Sequence, residues 1–443
     1  VNRRRILIVS PYLPHRRVGH GGGTVIYHLC RHLARDHEVL LLCFRRSGEE
    51  GLERDLEENG VEVETVSFRS GEDRGAARLV TILDRGVRLL WALASGRPLR
   101  SVRYSHPGMR RRLRELVEQW NPEIVDLEYF AMAPYARVVR GSSSPRRPVI
   151  SLSTHEVETL VRTREVMTAP TFARRWRARW LLGRIRRYEA TAARWADHVL
   201  CVTEQDRQVL AAISGLSHLH TVPLGVSLED LPELSLSFAP PPRLLFVGSF
   251  DHPPNREAAL WIARELVPRL RRHFDDIRCE IVGRRPPAEL RLAAAASHGH
   301  VVVHGFVDDL QPLFQDSWLF VAPLLSGGGI KIKILEAMGR GMPVLTTPIG
   351  LDGIDAEVGT AVELAEDLSA FAESCRKLLE DPDRLATIGR RGRAHVAQHH
   401  DWPALIRRFL SIVAVQPKSP PPGGGGPFRA PGENSPRPGY WKS

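Results

Sequence analysis

Cysteine is scarce: the 443 residues hold only five, Cys30, Cys43, Cys201, Cys279 and Cys375. They are scattered, odd in number and form no C-x-x-C pair, which excludes a disulfide framework and a thiolate zinc site and fits the reducing cytoplasm. No apolar run approaches the roughly 18 residues of a membrane-spanning helix, and residues 1–10 read as a strand rather than a cleavable leader. Also missing are the G-x-G-x-x-G spacing of a dinucleotide site and the Lys-Ser/Thr ending of a nucleotide-binding P-loop, which counts against a dehydrogenase or a kinase. Lysine is rare as well. Among 62 basic residues the lysines are Lys331, Lys333, Lys377, Lys418 and Lys442, so arginine carries the basicity and each lysine is informative. The net charge of +11 would attract phosphates, anionic lipid or nucleic acid without choosing among them.

What is present is the composition of a globular chain, 43% hydrophobic and 26% charged, at a length that suits two domains. Strands are expected at 5–10, 38–44, 61–68, 124–128, 148–153 and 198–203, with helical periodicity in most intervals between them. Such alternation argues for a parallel, doubly wound sheet. A Ser/Pro-rich stretch follows, and a second strand-and-helix series opens at residue 243, with strands near 277–282, 301–304, 319–322 and 343–346. The expected architecture is α/β: two Rossmann-like domains at 1–235 and 243–398, a linker at 236–242 and a C-terminal helix at 399–416. Residues 417–443, rich in Pro and Gly, are expected to form a disordered tail.

The strongest cluster of candidate residues runs from Ala322 to Met338, where a strand end passes through Gly327, Gly328 and Gly329 into a helix. Free backbone N–H groups at a helix start suit a diphosphate, and glycine lets it approach closely. Lys331 and Lys333 stand there as cationic partners for a leaving diphosphate, and Glu336, about a turn on, suits a ribose diol. Gly21, Gly22 and Gly23 form a similar loop after the first strand, with the helix expected from residue 24, where ligands bind parallel sheets. His155 follows a buried apolar strand and should reach the same cleft, and Glu128 and Tyr129 end the preceding strand, in reach of an acceptor. Thr203 to Asp206 has the form of a helix cap.

The run Gly-Gly-Gly-Ile-Lys-Ile-Lys-Ile-Leu-Glu-Ala-Met ending at Met338 resembles glycosyltransferase family 4, bacterial exopolysaccharide-type group 1 members, and related echoes appear at 154–158, 246–255, 305–307 and 341–344. The resemblance implies a GT-B fold whose two domains face across a cleft, retention of anomeric configuration, no obligatory metal or cofactor, and a nucleotide-diphosphate sugar as co-substrate. It implies that Glu336 binds the donor ribose, that Gly248 and the backbone at Phe306 and Val307 complete the donor site, and that His155 contacts the transferred sugar. Gly21 to Gly23, Lys331 and Lys333 then surround the diphosphate. A glycan, lipid-linked or small-molecule acceptor would lose its proton to the leaving phosphate. Departures exist: Gly328 stands where many members have a second glutamate, the run after Gly248 lacks a basic pair, and Leu224 replaces a common asparagine.

Two other classes compete. A nucleotide-sugar epimerase of the same architecture would need more acid and base groups in the cleft. A basic nucleic-acid-binding protein would need clustered stacking aromatics, whereas the aromatics here are dispersed, so nucleic acid is not an expected partner. Residues 172–188 form a basic segment with Phe172, Trp176, Trp180 and Ile185 at helical spacing, interrupted by Gly183. Either this stripe packs on the N-terminal domain, or it lies on an anionic membrane and makes the enzyme peripheral at the inner face.

Overall fold

The computed structural model describes residues 3–15, 21–68, 92 and 97–415. The expected disordered tail at 417–443 lies outside the described residues, as do residues 19 and 20 of the first glycine run. The first sheet comprises β1 (Arg5–Ser10), β2 (Glu38–Arg45), β3 (Val61–Ser67), β4 (Ile124–Glu128), β5 (Val149–Ser153), β6 (His198–Cys201) and β7 (Leu219–Thr221). Its order is β3-β2-β1-β4-β5-β6-β7, and every pairing is parallel. Ile6, Leu7, Ile8 and Val9 are wholly buried, as a central strand covered by helices on both faces requires.

The second sheet comprises β8 (Arg243–Val247), β9 (Arg278–Val282), β10 (Val301–His304), β11 (Leu319–Ala322), β12 (Val344–Thr346) and β13 (Glu363–Leu364). Its order, β10-β9-β8-β11-β12-β13, repeats the plan of the first. The expected strands fall within a few residues of the observed ones. The short edge strands β7 and β13 were not expected, being too brief to leave a periodic trace.

The chain then returns to the first sheet. Trp402, Leu405, Ile406 and Phe409 of the Trp402–Val413 helix pack with Ile6, Ile8 and the Gly21–Leu33 helix. At the return, Val226 and Asp401 form a parallel bridge, with Val226 N donating to His400 O at 2.9 Å and Trp402 N to Val226 O at 3.3 Å. Arg31 of the first helix holds Asp230 and Glu229 at 2.7 and 3.1 Å.

Two helix expectations need correction. The first helix begins at Gly21, so Gly21 to Gly23 form its opening turn rather than a loop before residue 24. The basic helix runs unbroken from Phe172 to Ala193 through Gly183. One glycine costs about 1 kcal/mol in a helix, and buried Ile185, Tyr188, Glu189, Ala192 and Ala193 anchor the segment that follows it. Of the stripe, only Ile185 packs inward. Phe172, Trp176 and Trp180 are 84%, 64% and 45% exposed.

Candidate functional site

In each sheet the strand order reverses at one point, between β1 and β4 and between β8 and β11. Connections diverge there and leave a crevice outside the carboxyl ends of the strands. The candidate residues gather at these two crevices.

Alternation along β4 puts Asp126 and Glu128 on one face, with Ser151 and Ser153 of β5 as their ladder partners. The Ser151 and Ser153 hydroxyls donate to Asp126 Oδ1 at 2.6 and 3.1 Å. Glu128 does not face open solvent, as an acceptor contact would suggest; its side chain is 1% exposed and its Oε2 lies 2.5 Å from His155 Nε2. Behind this pair is a mainly apolar cavity bordered by Val25, Leu29, Leu405, Ile406 and Phe409. Such surroundings disfavour charge. Burial and the neighbouring Glu128 hold the Asp126 carboxyl well above its usual range. Burial also pushes Glu128 up to about 8 and His155 down to about 4.

Tyr129 adopts a left-handed φ of 72°. Its ring lies over His155 with centroids 4.0 Å apart and planes 9° from parallel. The Tyr12 hydroxyl donates to that of Tyr129. Both hydroxyls press on the opening turn of the first helix, where a Cβ on Gly22 would fall 1.7 Å from Tyr129 Oη and 2.7 Å from Tyr12 Oη. A side chain at residue 22 would therefore have to displace this tyrosine pair.

At the second crevice, a Cβ on Gly248 would meet both Asn255 Cγ and Lys333 Nζ at 2.9 Å. Lys333 Nζ donates to Asn255 Oδ1 at 2.5 Å and sits 4.8 Å from the centre of the Phe246 ring. Burial, with Lys331 nearby, brings its ammonium down to about 7. Lys331 Nζ donates to Gly329 O at 2.5 Å. Gly327 and Gly329 have φ of 112° and 68°, and Gly327 borders Pro254, His252 and Lys331. Gly328 lies between them in the same turn. Glu336, on the Ile332–Gly339 helix, is raised by burial and eased by Arg340. Phe306 stands 68% exposed past the end of β10, two strands from β8, with Val307 half-buried beside it.

The two crevices meet. Thr203, just past β6, caps the Glu204–Ser214 helix as expected, accepting from Asp206 N at 3.0 Å. Asp206 accepts from Val157 N, two residues beyond His155, at 3.4 Å. On its other side Thr203 faces the second sheet: a Cβ on Gly353 would lie 2.7 Å from Thr203 Cγ2 and 2.6 Å from Ile330. Ile330 immediately precedes Lys331. Thr203 of the first domain and Ile330 of the second thus both border Gly353 at the domain junction.

Three residues of this arrangement had no role in the sequence reading. Asn255 holds Lys333, Tyr12 holds Tyr129, and Asp126 underlies Glu128. Asp126 left a signal, since acids at alternate positions of an apolar strand demand partners. Among the described residues no group of three or more His, Cys, Asp or Glu is placed to hold a metal ion.

Comparison with known proteins agrees with this architecture. Residues 19–230 match the model for Glycosyltransferase Family 4, and residues 241–381 match that for Glycosyl transferases group 1. The facing parallel-sheet domains are a GT-B fold, and the chain belongs to glycosyltransferase family 4, group 1. A phosphatidyl-myo-inositol mannosyltransferase of Mycobacterium leprae is 29% identical over 209 residues, 43% of this chain and 52% of that protein. A 44.6 kDa protein from the cps region of Klebsiella pneumoniae is 29% identical over 136 residues, 29% of this chain and 35% of that protein. The chain therefore matches between about a third and a half of the length of these curated relatives. Among solved structures, a glycosyltransferase from Rickettsia africae aligns with a TM-score of 0.63 at 14% identity, covering 93% of this chain and 98% of the other. Anabaena HepE in complex with UDP aligns with a TM-score of 0.63 at 13% identity, covering 93% and 99%.

Proposed function

We propose that the protein transfers a glycosyl group from a nucleoside diphosphate sugar to an acceptor hydroxyl, with retention at the anomeric carbon. The observation that supports this reading is the meeting of the two domains at Thr203, Gly353 and Ile330, the last immediately before Lys331. A sugar-diphosphate anchored at Lys331, Lys333 and the glycine turn would extend its sugar toward His155. In the reaction the bond from anomeric carbon to phosphate oxygen breaks, the bond to the acceptor oxygen forms, and the acceptor proton passes to the leaving diphosphate. Lys331 and Lys333 would stabilise the charge that develops there. Glu336 would take the ribose, Phe306 and Val307 the base, and no metal is required by this scheme.

Thermal shift with UDP-, GDP-, ADP- and dTDP-sugars tests the donor, because a ligand of the folded state raises apparent stability. One class should stabilise the protein, and Glu336→Ala should lose most of that shift while staying folded. Indifference to every donor would sink the reading.

The acceptor is proposed to be lipid-linked, with the enzyme peripheral on an anionic membrane. Phe172, Trp176 and Trp180, exposed at four-residue spacing among Arg174, Arg175, Arg177 and Arg179, support this. Aromatic anchors ringed by cations suit an interface, each arginine adding about 1 kcal/mol near anionic lipid. The mycobacterial relative is itself named for a phosphatidyl-inositol acceptor. Binding to anionic but not neutral liposomes is expected, weakened by salt and by Trp176→Ala with Trp180→Ala. Equal recovery in the supernatant with both liposome types would leave a glycan or small-molecule acceptor met in solution.

A further inference from the structure

We propose that Glu128 is a positioning residue that acts through His155: its carboxyl clamps Nε2 and so presents the ring to the transferred sugar as a neutral imidazole with its proton on Nδ1. This rests on the reading that His155 meets the sugar.

The geometry supports it at each link. Glu128 is 1% exposed, and its carboxyl lies 2.5 Å from Nε2. Behind it, Asp126, on the same face of the strand, is fixed by Ser151 and Ser153. Each carboxyl is buried, and Glu128 borders a mainly apolar cavity, which disfavours its charged form. A retained proton on Glu128 makes it the donor and Nε2 the acceptor, which leaves Nδ1 to carry the ring's own proton. Tyr129 stacks flat on the ring and blocks rotation out of this geometry. Asp126, Cys30, Tyr129, Tyr12 and Glu156 are the other titratable groups around the pair, and the nearby cation, Arg100, is paired with Glu156 at 2.8 Å.

A neutral ring has a chemical purpose here. Positive charge accumulates at the anomeric carbon as the phosphate departs, and an imidazolium beside it would oppose that charge. A neutral Nδ1–H can donate to a sugar hydroxyl without that penalty.

Two measurements decide the matter. Release of nucleoside diphosphate from UDP-glucose or GDP-mannose, whichever stabilises the protein, is followed in Glu128→Ala, Glu128→Gln, His155→Gln and the double variant Glu128→Ala with His155→Gln. Glu128→Ala should lower kcat by about 10- to 100-fold, leaving the Kd for UDP or GDP nearly unchanged. Glu128→Gln, which keeps a donor to Nε2 and has no charge, should recover most of the loss. In the His155→Gln background, Glu128→Ala should cost almost nothing further. The second measurement is the 15N spectrum of the wild-type imidazole, which should show Nδ1 protonated and Nε2 bare. A proton on Nε2, an undiminished rate in Glu128→Ala, or an equal cost of Glu128→Ala in both backgrounds would overturn the proposal. If His155→Gln itself kept full rate, the underlying assignment of His155 would fall with it, so the two failures are told apart.

Discussion

Lys333, mostly buried between Phe246 and Asn255, titrates near 7, far below an exposed lysine. A diphosphate held there, as proposed, would restore the charged form, so above pH 7 the complex would take up a proton that the free protein lacks. Affinity for a nucleoside diphosphate should therefore fall by up to about tenfold per pH unit between roughly pH 7.5 and 9. Calorimetry in buffers of different ionisation enthalpy should report uptake of about one proton. Lys333→Met should weaken binding and flatten both effects. The sign for folding is opposite: with a native value below the unfolded one, the unfolded chain binds more protons between about 7 and 10.5, so this group's contribution to stability rises with pH. Gly22→Ala is a second test at this scale. Its Cβ must displace the Tyr129 hydroxyl, and with it the ring on His155, costing about 1–3 kcal/mol by overpacking. Urea denaturation should show that loss, and Tyr129→Phe in the same chain should relieve part of it. That Lys331, Lys333 and His155 stand at the crevices was legible because rare or strand-ending residues stood in a recognisable run. Asn255 and Tyr12 were not, because their importance comes from partners 78 and 117 residues away, a distance that local pattern does not cross.

The helical hairpin of Glu158–Thr168 and Phe172–Ala193 has its own logic. Glu189 on the second helix caps the first from outside: it accepts from Glu158 N at 2.7 Å, from Thr159 N at 3.1 Å and from the Thr159 hydroxyl at 2.6 Å. Glu189→Ala orphans all three buried or half-buried donors and should cost about 1–3 kcal/mol. Urea unfolding should register it, with faster hydrogen exchange at Glu158 and Thr159; unchanged exchange would show that the first turn is held otherwise. Thr159→Val should cost less, since the backbone bonds survive. Sequence periodicity revealed the long helix but not its outward face, because arginines surround it on every side and give no polar pole from which to orient it. Helix starts were read late for a related reason: three successive glycines have no side chains to reveal that they already turn.

At the scale of the whole molecule, the two parallel-sheet domains were legible because several central strands carry apolar runs, such as Ile6 to Val9, Val39 to Phe44 and Leu244 to Val247. How the two halves join was not. Where the chain returns to the first domain, the Trp402 indole lies 6.0 Å from the rings of both His28 and His32. Trp402→Ala should cost about 3–5 kcal/mol, and calorimetry should then show the two domains melting in separate steps instead of one. The same region bears on how the molecule can move. The chain passes between its domains twice, and the passages at Val226 and Asp401 are laced side by side. A single passage would act as a swivel with three angular freedoms; two parallel strands tied together act as a door hinge, stiff to twist and to sliding. Any opening and closing of the cleft is therefore expected to follow one angular coordinate. One label on each lip of the cleft, and the single distance between them, would describe the whole motion.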